Sequence, residues 1–143
     1  MKVNILFSNK REKGDYYYKI RVSNLMKFID REDFECRKSK IIKDIYHQAW
    51  FLNKNKNILQ FIPPTIYIHK GKICFINGRH RTALLINKLD VIPMLVYALD
   101  AYPSTTESSL EKNKITFEQI IISRVKRSDV FKLPKLPIQN LAT

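Results

Sequence analysis

The chain has 143 residues, of which 45% are hydrophobic, and its 26 Lys and Arg residues outnumber its 13 Asp and Glu residues to give a formal net charge of +13. These values exclude an intrinsically disordered chain and predict one core that buries about two-thirds of the unfolded surface. No apolar run approaches the roughly 20 residues of a membrane-spanning helix, and no secretory signal is recognisable, so we expect a cytoplasmic protein.

The excess of basic residues predicts a polyanionic partner, because a strongly positive field raises the local concentration of anions. Nucleic acid, nucleotides, an acidic protein and an anionic membrane surface all fit this field. A basic proteome whose surfaces need no partner is the alternative. Cys36 and Cys74 are too few and too far apart to predict a disulfide framework or a zinc site, and no metal ligands are assigned.

The first elements are predicted to be two strands. Residues 1–8 are mainly apolar, and residues 16–25 contain β-branched and aromatic side chains in partial alternation. The charged stretch 30–40 is predicted to be solvated and to contain the start of a helix capped by Asp30. Its carboxylates resemble a metal-binding cluster only loosely.

A helix and a hairpin are predicted next. Apolar residues recur at helical spacing over 39–52, with Ser39 as the N-cap. Two short strands then follow over 65–69 and 72–76, and Lys70-Gly71 between them is typical of a tight hairpin turn.

The remaining elements are a helix over 82–89, a buried strand over 91–99, a loop over 100–109, a helix over 116–127 and an extended tail over 133–143. The order of these elements predicts the α+β class, with α/β as the alternative. We expect one domain over 1–100. Residues 101–143 are expected to form a linker, a basic helix and a tail that is able to detach.

The junction between the second hairpin strand and the following helix combines a glycine with three basic residues. The first amides of a helix lack intrahelical partners, and a glycine there lets a phosphate approach the backbone. Guanidinium groups suit phosphate oxygens. The predicted phosphate- or nucleotide-binding residues are Asn77, Gly78, Arg79, His80, Arg81 and Thr82.

Each residue of this corner also has a structural interpretation. Gly78 fits a turn, Arg79 a solvated surface charge, and His80 a packed side chain that bonds the backbone. Arg81 fits a structural ion pair with an acid such as Asp90. Consecutive helical positions point in different directions, so at most two of the three basic side chains are expected to face one ligand.

The stretch FINGRHRTALLINKLDVIPMLV, residues 75–96, resembles the phosphate-binding corner of the ParB/sulfiredoxin-like superfamily. The positions on the motif are Gly78, His80, Arg81 and Ala83, with Ile92-Pro93 on the following strand. The wider order of elements over residues 16–99 looks like the plasmid fertility inhibition factor branch. The resemblance implies a compact mixed sheet with a β-β-α-β motif and flanking helices, and a nucleotide or other phosphate bound at the corner, with ATP and Mg as cofactors.

Two departures from the family pattern bear on activity. Arg79 stands where sulfiredoxins carry their reactive cysteine, which disfavours sulfiredoxin chemistry. Asn77 stands where fertility inhibition relatives commonly have Asp, and an amide cannot act as a base or as a strong magnesium ligand. It can still cap the helix.

A second basic region lies near the C-terminus, where Arg124, Lys126 and Arg127 are predicted to bind a nucleic-acid backbone. Docking on a protein partner or on the chain's own core is the alternative. The aromatic residues Tyr16, Tyr17, Tyr18 and Trp50 are predicted to serve in packing rather than in base stacking.

Three functions are consistent with these features. The first is a nucleotide- or DNA-phosphate-binding protein with nucleotide-dependent DNase or NTPase activity, in which Arg81 and His80 act on the phosphates and which restrains conjugative transfer. The second is a non-catalytic module that binds nucleic acid, or a protein of a transfer or secretion system. The third is a small-molecule phosphotransferase.

Overall fold

The computed structural model describes residues 1–7, 16–36, 46–52, 59–97, 118–134 and 138–139. Over these ranges the architecture is mixed α+β, as the sequence predicts. The strands are β1 Lys2–Ile5, β2 Tyr16–Arg21, β3 Tyr46–His47, β4 Phe51–Leu52, β5 Leu59–Phe61, β6 Thr65–His69, β7 Lys72–Asn77, β8 Val91–Val96, β9 Ile121–Arg124, β10 Phe131–Lys132 and β11 Ile138–Gln139. The helices are α1 Val22–Phe28, α2 Arg31–Cys36 and α3 Arg79–Leu85, with a 3-10 turn at Gln48–Trp50.

The larger sheet has five strands in the order β7-β6-β8-β2-β9. β6 and β8 run parallel, while the other neighbours are antiparallel. The connection from β7 to β8 passes through α3, so a β-β-α-β unit occupies one half of this sheet. β7 and β9 are therefore its two edge strands.

The smaller sheet has four strands in the order β10-β1-β5-β4, and β11 pairs with β3. The strand pairing in this sheet brings distant parts of the chain together. β10 is antiparallel to β1, and the amide of Leu133 donates to the carbonyl of Met1 at 2.7 Å. β9 likewise pairs with β2. The described residues after 117 thus complete sheets that are begun by the first strands.

A single apolar cluster joins both sheets and the helices. Alternation along the strands and helical spacing on α1 and α3 direct these side chains inward. Its fully buried members are Val3, Ile20, Leu25, Phe61, Ile66, Ile73, Leu85, Ile92, Met94 and Ile120.

The local signals around the hairpin are confirmed. β6 has the predicted bounds, and Lys70 and Gly71 both have positive φ, 52° and 76°, as a mirror-image hairpin turn requires. Asp30 caps α2, because its carboxylate accepts the amide of Asp33 at 3.1 Å.

Three predictions of secondary structure are wrong. The second strand ends at Arg21, and residues 22–25 belong to α1. Residues 46–52 form a 3-10 turn between two short strands instead of the end of a helix; residues 39–45 lie outside the described ranges. Residues 121–124 are β9 and not part of a helix. Residues 118–120 are helical, and β9 follows them directly; its β-branched residues Ile121 and Ile122 favour a strand once β2 offers a pairing edge.

α3 also differs from its predicted bounds, since it begins at Arg79, three residues earlier than expected, and ends at Leu85. Of the corner residues, Arg79 to Thr82 therefore form the first turn of α3, while Asn77 ends β7 and Gly78 is the N-cap. None of the helices in the described ranges is long and apolar enough to cross a membrane.

Candidate functional site

Gly78 is the N-cap of α3 and has a left-handed backbone, with φ 89°. A Cβ atom at this position would lie 2.6 Å from both Cα and Cβ of Pro64, which is closer than real Cβ contacts. Any side chain would therefore meet both backbone strain and a clash with the turn before β6. Gly78 is explained by close packing at the turn. Gly78 has no side chain, and the side-chain oxygen of Asn77 accepts a hydrogen bond from Arg81. No side chain therefore caps this helix.

Arg79 points toward α2 and binds Asp33. Its Nη2 lies 2.9 Å from Oδ1 of Asp33, and its Nε donates to the Asp33 carbonyl at 3.1 Å. Nη2 also donates to the carbonyl of Phe75 at 2.8 Å. The Arg79 side chain is only 12% exposed. The Arg79 guanidinium thus forms an internal ion pair. The alternative prediction that Arg79 is a solvated surface charge is wrong.

The same carboxylate covers the outer edge of β7. Oδ2 of Asp33 accepts the amide of Phe75 at 2.9 Å, and the amide of Asp30 donates to the carbonyl of Ile73 at 2.8 Å. Asp30 and Asp33 therefore satisfy two backbone groups that an edge strand would otherwise present to another chain.

Arg81 is 8% exposed and binds neutral oxygen atoms. Its Nη1 donates to the carbonyl of Ile62, and its Nη2 donates to Oδ1 of Asn77 at 3.2 Å. Asp90 is not its partner. Burial lowers the pKa of Arg81 to about 10, which still leaves the guanidinium charged at neutral pH. Arg81 thus holds the chain before β6 against the start of α3.

The other corner residues divide between the surface and the core. Asn77 and His80 are exposed, whereas Thr82 is fully buried. Arg79 and Arg81 are both turned inward and bind oxygen atoms of the protein, which argues against a phosphate clamp made by this pair.

Cys74, on β7, does not supply a nucleophile to this corner. Its side chain is 6% exposed, and burial, followed by the charges of Asp33 and Asp30, raises the pKa of its thiol. A raised pKa keeps the sulfur protonated and unreactive at neutral pH. Cys74 is thus a poor substitute for the cysteine that is missing at position 79.

The C-terminal basic residues gather at the opposite edge of the five-stranded sheet. Arg124, at the end of β9, is exposed, and its Cζ lies 3.8 Å from the ring centroid of Tyr16. Arg124 is the register partner of Tyr18, two residues after Tyr16, so the side chains of all three share one face of the sheet. The strand brings together residues that are more than a hundred positions apart.

Arg127 lies on the other face of the same edge. Its Cζ is 5.0 Å from the ring centroid of Phe7, and Phe7 packs edge-on against Tyr17 with centroids 4.8 Å apart. Tyr17 and Tyr16 point to opposite faces because side chains alternate along a strand. Each exposed arginine therefore lies over an aromatic ring, one on either side of β9. We call Arg124, Lys126 and Arg127 the arginine edge.

Asp129 fixes the turn that carries Lys126 and Arg127. Its Oδ2 accepts the amide of Lys126 at 2.7 Å and lies 3.3 Å from Nζ of Lys19. The hydrogen bond from Lys126 is the main reason why the pKa of this carboxyl lies below its usual value, and Lys19 lowers it further. Lys19 thus balances the negative charge of Asp129, which leaves the positive charge of Arg127 uncompensated by this carboxylate.

Arg124, Lys126 and Arg127 are exposed at one edge of the sheet, and their role in binding nucleic acid stays a prediction. Tyr17 and Tyr18 are buried and Tyr16 and Trp50 are half-buried, so all four pack as expected. The sequence did not indicate that Tyr16 and Phe7 support the arginines. The interleaving of basic and aromatic residues was the available signal, but the partners come from the other end of the chain.

No protein-family model, curated protein or solved structure matches this chain.

Proposed function

We propose that the protein binds nucleic acid through the arginine edge. The observation that carries the proposal is the pair of exposed arginines, Arg124 and Arg127, each lying over an aromatic ring at one edge of the sheet. Among the described residues, neither forms an ion pair with a carboxylate. Their charge is therefore available to a partner.

Stacking prepares these side chains for phosphate. An arginine that rests on a ring keeps the hydrogen-bonding rim of its guanidinium in solvent, and it loses less freedom when it binds. Lys126, one residue before Arg127 and exposed, adds positive charge beside it. The net charge of +13 would draw a polyanion to this edge and make its affinity fall with salt.

A binding module is favoured over a nucleotide-dependent nuclease or ATPase. The resemblance to the ParB/sulfiredoxin-like superfamily remains a proposal, supported by the order β6, β7, α3 and β8. Arg79 and Arg81 are engaged within the protein, which argues against their use as a phosphate clamp. ATP, Mg and turnover at Arg81 and His80 stay predictions, as do small-molecule phosphotransfer and a partner from a conjugative transfer or secretion system.

The test is a salt titration of DNA binding. We expect the affinity for a fluorescein-labelled oligodeoxynucleotide to fall as potassium chloride rises from about 50 to 200 mM. Arg124→Ala and Arg127→Ala should each weaken binding and reduce the slope of log affinity against log salt by about one. Fluorescence anisotropy measures both quantities.

Arg31→Ala is the matched control. Arg31 is an exposed arginine on α2, which packs on β7 at the far edge of the sheet, so its loss should leave the slope nearly unchanged. No binding by the parent protein, or equal losses in all three variants, would overturn the proposal. Circular dichroism of each variant confirms that the fold is retained.

A further inference from the structure

We infer that the ligand of the arginine edge is single-stranded, and that an unpaired base stacks on the guanidinium of Arg124 where it lies over Tyr16. This inference rests on the proposed function and names its substrate class. The pair Arg124–Tyr16 is called the stacking platform below.

The stacking platform is a built contact. The distance of 3.8 Å between Cζ of Arg124 and the ring centroid of Tyr16 is that of two groups in van der Waals contact. The ring itself is half-buried, and it meets Tyr18 edge-on with centroids 6.3 Å apart. Tyr16 is also held in β2 by its register with Val96. The guanidinium therefore rests on a ring whose position the core fixes.

The platform has an exposed upper surface. Arg124 is an exposed residue, and its neighbours Ile122 and Ser123 on β9 are exposed as well. A guanidinium that contacts a ring on one side offers its other side to a second planar group. Nucleic-acid bases stack on arginine planes as well as on aromatic rings, and such stacking does not depend on sequence.

Arg127 differs from Arg124 in its contact. Its Cζ lies 5.0 Å from the Phe7 centroid, beyond close contact, on the opposite face of the edge. The turn beside it, fixed by Asp129, carries Lys126 and adjoins Lys19. The positive charge on the Arg127 side is suited to binding phosphate oxygens. The Arg124 side adds a flat surface on which a base can stack. Together they match a strand with exposed bases and a charged backbone.

A base in the interior of a duplex cannot use the platform. It is already stacked on both faces, and freeing it costs a few kcal/mol. A single strand presents its bases at a much lower cost. The arginine edge should therefore bind both forms through phosphates, but only the single strand should gain from stacking.

The experiment compares three labelled probes. They are oligothymidylate of about 20 nucleotides, which is longer than the roughly 4 to 16 nucleotides of typical single-strand sites, an abasic strand of the same length, and a duplex. The parent protein should bind oligothymidylate about fivefold or more tightly than the abasic strand. Arg124→Lys keeps the charge and removes the plane. It should reduce affinity for oligothymidylate about fivefold or more, with little change for the other two probes.

Arg31→Lys, at an exposed position of α2 by the far edge of the sheet, is the matched control and should leave all three affinities nearly unchanged. Tyr16→Leu, which removes the support, should reproduce the selective loss of Arg124→Lys. Equal affinity of the parent for oligothymidylate and the abasic strand, or equal loss on all probes in Arg124→Lys, would overturn the inference while leaving the proposed function intact. Failure to bind any probe would instead overturn the proposed function.

Discussion

Thr82 is fully buried in α3, and its hydroxyl has no hydrogen-bond partner among the described residues. Its amide donates to the carbonyl of Gly78 at 2.9 Å, so the backbone is satisfied while the side-chain oxygen is not. A buried polar group without a partner costs roughly 1 to 3 kcal/mol. Thr82 therefore opposes the stability of the helix that it helps to build.

Replacing that hydroxyl with a methyl group should stabilise the protein. Thr82→Val keeps the shape and the branching, and we expect the free energy of unfolding to rise by about 1 kcal/mol. Thr82→Ser is the control, since it retains the hydroxyl and removes a methyl, and it should cost about 1 kcal/mol. Urea unfolding measures both. A loss of stability in Thr82→Val would mean that the hydroxyl has a partner.

The turn between β9 and β10 shows how one side chain organises an element. Asp129 accepts the amide of Lys126, pairs with Lys19, and offers its carbonyl to Nδ2 of Asn4 at 3.1 Å. These contacts join the turn to both sheets. They also set the position from which Lys126 and Arg127 face solvent.

The pKa of Asp129 gives this turn a pH dependence. Because the folded carboxyl has a lower pKa than the unfolded one, its contribution is present above about pH 4 and is lost as pH falls through the folded value. We lower the pH from about 5 until the protein unfolds, and expect Asp129→Asn to lose less free energy of unfolding than the parent protein. Most of this difference should appear below about pH 4. Thermal unfolding across this range measures the difference. Glu118→Gln, at an exposed position, should follow the parent curve.

At the scale of the whole molecule, the C-terminal strands close the structure. The amide of Leu133 donates to the carbonyl of Met1, the N-terminal amine of Met1 donates back to the carbonyl of Leu133 at 2.9 Å, and the Leu133 side chain is 3% exposed in the core. The sequence suggested a tail that is able to detach. The described part of that tail is instead packed into the fold.

Leu133→Ala should therefore destabilise the entire domain. Removal of a buried leucine side chain costs about 2 to 5 kcal/mol, and we expect a loss of this size in urea unfolding followed by circular dichroism. Lys132→Ala, at the exposed position next to it, should stay within about 0.5 kcal/mol of the parent. A detachable tail would leave the main transition unchanged in both variants.

The sequence predicts those parts of the fold that depend on interactions between residues close together in the chain. The Lys70-Gly71 turn, the two strands beside it and the Asp30 cap depend on residues within a few positions of one another. The four-stranded sheet was not predicted, because its strands are short and its pairing joins β1 to β10 across the length of the chain.

The candidate site divides in the same way. The sequence by itself determined that basic residues concentrate at two places, that Gly78 lies at a junction of strand and helix, and that Arg124, Lys126 and Arg127 belong to one basic segment. Only the tertiary structure decided that Arg79 meets Asp33, that Arg81 lies in the interior, and that Arg124 rests on Tyr16. The direction of a long side chain depends on the surfaces that distant segments bring beside it, and those surfaces exist only in the folded chain.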